Sequence, residues 1–127
     1  MKPGKGGLAR LVDATSYSVK GIGACWRNEA AFRQEVLLVA FLLPLSFWVA
    51  ASVEQWLLLI LPLLLLLIVE LLNSAVENIV DRIGHDFNEL SGRAKDMGSA
   101  AVLISLLMTG LAWIAIGWKN FASWPGA

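Results

Sequence analysis

Acidic and polar side chains recur at helical spacing along the stretch VELLNSAVENIVD, residues 69–81. At 100° per residue, a helix gathers three carboxylates, an amide and a hydroxyl into a sector about 100° wide. These side chains, which we call the polar stripe, are Glu70, Asn73, Ser74, Glu77 and Asp81. Neighbouring carboxylates can hold a hard cation such as Mg²⁺, and a single carboxylate can take a proton from a hydroxyl group.

Glu70 is the most unusual member of the polar stripe, because fourteen uncharged residues, Trp56 to Val69, precede it. If Trp56 marks the outer membrane interface, a rise of about 1.5 Å per residue places Glu70 roughly 21 Å into a hydrocarbon core about 30 Å thick. A carboxylate at that depth is energetically costly, and ionisable groups in membrane spans are usually functional. Glu70 is therefore the candidate catalytic base, at a depth where it can meet a lipid headgroup hydroxyl.

The composition is that of a small integral membrane protein. The chain has 127 residues, of which 57% are hydrophobic, with a mean hydropathy of +0.67. Its formal net charge is zero and it carries no recognition motif for nucleic acid, so nucleic-acid binding is not expected. The single cysteine, Cys25, cannot form an intrachain disulfide.

The hydrophobic pattern predicts one all-α membrane domain covering residues 1–127, with three transmembrane helices and one amphipathic surface helix. Apolar residues at helical spacing predict the surface helix at about 8–24. Long uncharged runs predict the spans at about 30–51, 56–83 and 97–118, with a polar loop at 84–96. The third span carries small residues on one face, which favours close helix packing: Gly98, Ala101, Ser105, Thr109 and Ala112.

The basic residues predict the orientation of the spans. Nine of the ten lysine and arginine residues lie before the first span or around the 84–96 loop, and only Lys119 lies on the other side. By the positive-inside rule, the N-terminus and this loop are expected in the cytoplasm and the C-terminus outside. The polar stripe would then open toward the cytosol and its nucleotides.

The charged groups at this boundary favour phosphoryl transfer from a nucleotide to a lipid alcohol. Carboxylates without thiols or paired histidines suit Mg²⁺ shared with phosphates, and Lys95 can supply countercharge. Glu70 is expected deeper in the membrane than the other carboxylates. This order suits a base at the level of the lipid hydroxyl and a metal ion nearer the aqueous side, with the nucleotide phosphates. Trp113 and Trp118 are predicted interfacial tryptophans, and we also consider them as residues that line the binding site of the lipid substrate.

Two other classes of protein are compatible with a carboxylate in a span. One is a small ion- or proton-translocating subunit in which Glu70 cycles its proton, although such carboxylates are typically isolated rather than part of a stripe that reaches the cytosol. The other is a non-catalytic assembly subunit, which has no use for the stripe. A Glu70→Gln variant separates the last class from an enzyme, because an assembly role should survive the change.

Three strings resemble the small prokaryotic integral-membrane diacylglycerol kinases: NEAAFRQE (28–35), VELLNSAVENIVDRIG (69–84) and ELSGRAKDMGSAAVLI (89–104). The resemblance implies a homotrimeric helical bundle in the bacterial inner membrane, with active sites shared between subunits. It also implies an enzyme that uses MgATP to convert diacylglycerol into phosphatidic acid. A sister branch phosphorylates undecaprenol with a similar catalytic set, so an undecaprenol kinase is the alternative substrate assignment.

The resemblance also implies roles for individual residues. Glu70 would be the general base, and Glu29 and Glu77 would hold the metal ion. The ATP-binding set would comprise Arg10, Tyr17, Glu29, Glu77, Asp86, Phe87, Asn88, Lys95 and Asp96. Glu35, Asn73 and Ser99 would lie on the lipid side or support the site, beside Glu70.

Overall fold

Four α-helices make up the computed structural model, which describes residues 6–122. They are α1 (Gly7–Asn28), α2 (Ala30–Val49), α3 (Val53–Ile83) and α4 (Glu89–Phe121). Helices α2, α3 and α4 are long and apolar enough to cross a membrane. The expected all-helical chain with three apolar helices is confirmed.

Two helix boundaries differ most from the sequence prediction, and the others agree to within three residues. Helix α1 continues through Gly21 and Gly23 to Asn28, where the prediction ended it at about residue 24. Helix α4 begins at Glu89 instead of about residue 97, so the predicted 84–96 loop is only a five-residue connection, 84–88. The reason is Asn88, whose Oδ1 accepts hydrogen bonds from the amides of Leu90 (3.0 Å) and Ser91 (3.1 Å) and so caps the helix early.

A three-residue turn, 50–52, joins α2 to α3 at the end of the bundle far from the polar stripe. Ser52 caps α3 by accepting a hydrogen bond from the Gln55 amide (3.2 Å), and Gln55 Oε1 accepts one from the Ala51 amide (2.9 Å). Asn120 of α4 donates to the Val49 carbonyl (2.7 Å) and to Gln55 Oε1 (2.8 Å). These bonds tie the three apolar helices together at this end.

Helices α3 and α4 form the main packing interface within the chain. Leu59, Leu63 and Leu66 of α3 are fully buried, and Ser105 and Thr109 of the small-residue face are buried on α4. The small side chains let the helix backbones approach closely, which is the usual device for helix association in lipid. This interface fixes the position of the polar stripe relative to α4.

Candidate active site

The polar stripe is buried where it leaves the apolar part of α3. Glu70 is only 4% exposed, and Asn73 and Ser74 are also buried. Glu77 is half-buried and Asp81, one turn further, is exposed. The stripe therefore runs from a buried carboxylate to a solvent-exposed one, in the order that the rise per residue along the helix predicted.

Helices α1 and α2 and the break between them bring two carboxylates and a thiol to this stripe. Glu35 of α2 lies close to Glu70, and the Oε2 atom of Glu35 is buried without a hydrogen-bond partner among the described residues. Glu29, at the break between α1 and α2, and Glu77 both lie close enough to act electrostatically on Glu70. Four carboxylates from three elements thus meet at one end of the bundle; we call Glu29, Glu35, Glu70 and Glu77 the carboxylate cluster.

Asn73 holds one member of this cluster. Its Nδ2 donates a hydrogen bond to Glu77 Oε1 (3.3 Å), which leaves the other Glu77 oxygen available to a ligand. The Asn73 Oδ1 is buried without a hydrogen-bond partner in the described structure and lies against Gly98 of α4. A Cβ atom at Gly98 would overlap this oxygen, so a larger residue there would require the Asn73 side chain or the helix to move.

Cys25 joins α1 to the polar stripe. Its Sγ lies 3.5 Å from the Ser74 hydroxyl oxygen, and the side chain is 7% exposed. Burial raises the pKa of the Cys25 thiol, so the group stays protonated at neutral pH and acts as a weak donor. A cavity of about 560 Å³ opens beside it between α1 and α3, lined by residues that include Gly21, Ile22, Leu71 and Ala75. The sequence contained no signal for this contact, because a lone cysteine has no diagnostic spacing.

A second cleft, of about 210 Å³, lies at the connection between α3 and α4. Asp86, Phe87, Asn88 and Lys95, all expected to bind ATP, line it together with Asp81. Lys95 Nζ forms an ion pair with Asp81 Oδ1 at 2.7 Å. The structure thus brings four of the predicted nucleotide residues together, and it shows Asp81 as a partner of Lys95 that sequence reasoning missed.

The other predicted site residues lie on α1 and α4, and several of them are exposed. Arg10 and Tyr17 are exposed on α1, with Lys20 Nζ 5.7 Å from the centre of the Tyr17 ring, and Asp96 and Ser99 are exposed on α4. Trp118 is 76% exposed near the far end of α4. Trp113 donates its indole N–H to the Leu59 carbonyl (3.1 Å), so it packs between α4 and α3 toward that same far end.

The carboxylate cluster has the donor chemistry of a Mg²⁺ site but does not complete one. Across residues 6–122, no group of three or more Asp, Glu, His or Cys side chains is arranged to enclose a metal ion. Mg²⁺ is commonly held by one or two carboxylates, with water and substrate phosphates filling the remaining positions. Glu77, oriented by Asn73, could supply one carboxylate to such a partial ligand set.

Comparison with known proteins places the chain in a family. The pattern of the prokaryotic diacylglycerol kinase family matches residues 16–117. The diacylglycerol kinase of Escherichia coli (strain K12) is 48% identical over 115 residues, which are 91% of this chain and 94% of that protein. The diacylglycerol kinases of Haemophilus influenzae and Pseudomonas aeruginosa are each 48% identical, over 84% and 89% of this chain and 91% and 92% of their own lengths. The chain therefore belongs to the prokaryotic diacylglycerol kinase family and is a membrane lipid kinase.

Proposed function

We propose that this protein transfers the γ-phosphoryl group of ATP to the hydroxyl of diacylglycerol and so produces phosphatidic acid. The observation that carries the proposal is the buried Glu70 carboxylate, which lies at the end of the apolar part of α3, beside Glu35 and close to Glu29 and Glu77. A lipid hydroxyl can reach this depth from the membrane, whereas a nucleotide can approach the exposed end of the stripe from the aqueous side. The family of the chain is named for this reaction.

In the proposed mechanism, Glu70 accepts the proton of the lipid hydroxyl as its oxygen attacks the γ-phosphorus of ATP. The bond between the γ-phosphorus and the bridging oxygen of ADP breaks, and ADP leaves. Glu29 and Glu77 would hold Mg²⁺, which neutralises charge on the phosphates when bound. Asn73 keeps Glu77 in place through its hydrogen bond, and Glu35 would help to orient the neighbouring Glu70.

The remaining nucleotide contacts would come from the cleft between α3 and α4 and from α1. Lys95 would pair with the phosphates, and Asp86, Phe87, Asn88 and Asp96 would surround the rest of the nucleotide. Arg10 and Tyr17 would reach it from α1. Glu35, Asn73 and Ser99 would contact or support the lipid, and Trp113 and Trp118 would line its path along the membrane.

We further propose a homotrimer in the bacterial inner membrane, with α1 on the cytoplasmic surface. The distribution of basic residues supports a cytoplasmic position for the carboxylate cluster, where ATP is available. The exposure of Arg10, Tyr17 and Ser99 within one chain leaves them accessible to a neighbouring subunit and is compatible with active sites that two subunits complete. Exposed apolar side chains on the outer faces of α2 and α4, such as Phe41 and Leu111, suit contact with lipid or with another subunit.

Glu77→Gln is expected to raise the Mg²⁺ concentration needed for half-maximal activity by about tenfold or more, the size of effect seen when a metal site loses supporting interactions. The amide keeps the shape of the side chain but removes the negative charge that attracts the cation. Mg²⁺ titrations of the kinase rate at saturating ATP measure this. Glu54→Gln, at the opposite end of the same helix, is the matched control. An unchanged Mg²⁺ requirement in Glu77→Gln would remove Glu77 from the ligand set.

Lys95→Gln is expected to raise the KM for MgATP by about tenfold or more, because it removes a charge-assisted contact to phosphate. Stability should hardly change, since the Lys95–Asp81 pair is about half exposed and such pairs contribute little to folding. Arg93→Gln is the control, because it breaks the exposed Arg93–Glu89 pair (3.1 Å) on the same helix. A wild-type KM in Lys95→Gln would show that this lysine does not contact the nucleotide.

The substrate assignment is tested by a coupled assay in mixed micelles that supplies MgATP with either diacylglycerol or undecaprenol. Preferential phosphorylation of diacylglycerol is expected. Preference for undecaprenol would keep the mechanism and overturn the substrate. Inactivity on both lipids, with proton or ion flux through reconstituted vesicles, would favour the translocating class instead.

A further inference from the structure

Arg33 closes the sharp junction between α1 and α2, at which the predicted metal ligand Glu29 is placed. Its Nη1 donates a hydrogen bond to the Trp26 carbonyl (2.7 Å) and a second, longer one to the Arg27 carbonyl (3.3 Å). Its backbone amide donates to the Glu29 carbonyl (3.3 Å), the first hydrogen bond of α2. One residue thus contacts the last turn of α1, the break itself and the first turn of α2.

We call these hydrogen bonds of Arg33 the clamp. The junction needs it because a single residue, Glu29, joins the two helices. Glu29 has an extended backbone (φ −121°, ψ 108°), and its amide still donates to the Cys25 carbonyl at 2.9 Å. Beyond it the chain turns into α2, so the following carbonyls of α1 lose their helical partners. The guanidinium of Arg33 satisfies two of them, and the Glu29 side chain makes no hydrogen bond that caps α2.

Two buried anchors lie on either side of this junction. Cys25 is held against Ser74 of α3, and Phe32 is 3% exposed on α2. Between these anchors, the angle at Glu29 is set by the hydrogen bonds across the break. A change in that angle would move the Glu29 carboxylate relative to Glu70 and Glu77.

We propose that Arg33 is a positioning residue that fixes the angle between α1 and α2. It thereby holds the Glu29 carboxylate where it can bind Mg²⁺ together with Glu77. Arg33 itself contacts neither substrate nor metal. The proposal rests on the proposed function in one respect, namely that Glu29 is a metal ligand. Loss of the Arg33 hydrogen bonds should therefore raise the Mg²⁺ concentration needed for half-maximal activity, and it should affect kcat at saturating Mg²⁺ less.

The test compares Arg33→Gln with Arg33→Lys and with Arg27→Gln in the full-length protein in mixed micelles. Arg27→Gln removes a positive charge from the same junction but leaves the Arg33 clamp in place. In Arg33→Gln, we expect amide hydrogen exchange of residues 26–30 to accelerate about three- to tenfold, as after the loss of a helix cap. The Mg²⁺ concentration for half-maximal activity should rise about threefold or more, while kcat at saturating Mg²⁺ falls less.

Arg33→Lys keeps the positive charge and a donor nitrogen without the planar guanidinium, so it should show intermediate values for both measurements, and Arg27→Gln should resemble the wild type. Exchange at wild-type rate in Arg33→Gln would show that there is no clamp. Faster exchange with an unchanged Mg²⁺ requirement would reduce Arg33 to a helix cap and overturn its positioning role. An equal rise in the Mg²⁺ requirement of Arg27→Gln would show that the effect comes from the lost charge, and this too would overturn the positioning role of Arg33.

The failure of the proposed function is distinguishable from the failure of this inference. A wild-type protein that phosphorylates neither lipid would overturn the proposed function, and the hydrogen-exchange comparison would still decide whether the clamp exists. An active wild type with no difference between the Arg33 and Arg27 variants would overturn only the inference about Arg33.

Discussion

Glu70→Gln is expected to lower kcat by about 10²- to 10⁴-fold, the range associated with removal of a general base. The amide has nearly the same shape as the carboxylate but cannot accept the proton of the lipid hydroxyl. Nucleotide affinity and subunit assembly should stay close to wild type, because Glu70 lies below the groups that would contact ATP. Steady-state kinetics, equilibrium nucleotide binding and size-exclusion chromatography in detergent measure the three properties.

The matched control for this variant is Glu54→Gln, which makes the same change in the first turn of α3, at an exposed position. It should leave all three properties unchanged. A Glu70→Gln protein that loses its assembly would show that Glu70 is structural. One that keeps the wild-type kcat would show that another group takes the proton.

Gly98→Ala is expected to lower the free energy of unfolding by about 1–3 kcal/mol, the usual effect of overpacking a buried contact. The added methyl group would overlap Asn73 Oδ1, so either the side chain or the α3–α4 interface has to move. A displaced Asn73 would also release Glu77, and activity should fall more than stability alone explains. Unfolding titrations in mixed micelles and kinetic measurements separate the two effects.

Gly110→Ala is the matched control, because Gly110 lies on the same helix with nothing within 4 Å of an added Cβ. It should be neutral or slightly stabilising, since alanine favours a helix over glycine. The double variant Asn73→Ala, Gly98→Ala should regain stability but not activity, because the clash is gone and so is the hydrogen bond to Glu77. Wild-type stability together with wild-type activity in Gly98→Ala alone would contradict the close contact.

The polar stripe was predictable from the sequence because it depends only on helical periodicity within one element. The apolar runs likewise predicted three long helices. Periodicity also gave the depth order of Glu70, Glu77 and Asp81, which the burial of these side chains follows. The spacing of residues along the chain was sufficient to predict a feature whose residues all lie on one helix.

Contacts between helices could not be read in the same way. The approach of Glu35 to Glu70 and of Asn73 to Gly98 depends on how α2 and α4 pack against α3, which no spacing along the chain determines. Glu29 and Arg33 have the i, i+4 spacing of a surface ion pair, yet Arg33 donates to carbonyls of the preceding helix. The helix break at Glu29 explains the difference, because it exposes carbonyls that compete for the guanidinium.

The extent of the α3–α4 connection was mispredicted for a related reason. The stretch between residues 84 and 96 is polar, and polarity alone suggests a loop. Asn88 nevertheless caps α4 at Glu89, and the first turns of the helix remain polar because they lie outside the apolar part of the bundle. This extension of α4 is what carries Lys95 to Asp81.

The central claim is that Glu70 accepts the proton during phosphoryl transfer from ATP to a lipid hydroxyl. The most direct test is a single-turnover measurement with γ-labelled ATP, Mg²⁺ and diacylglycerol in mixed micelles, with enzyme in excess over nucleotide. The label should move to the lipid in the wild type and in Glu54→Gln, and should remain in bound ATP in Glu70→Gln. Transfer of the label to lipid by Glu70→Gln at the wild-type rate would contradict the claim.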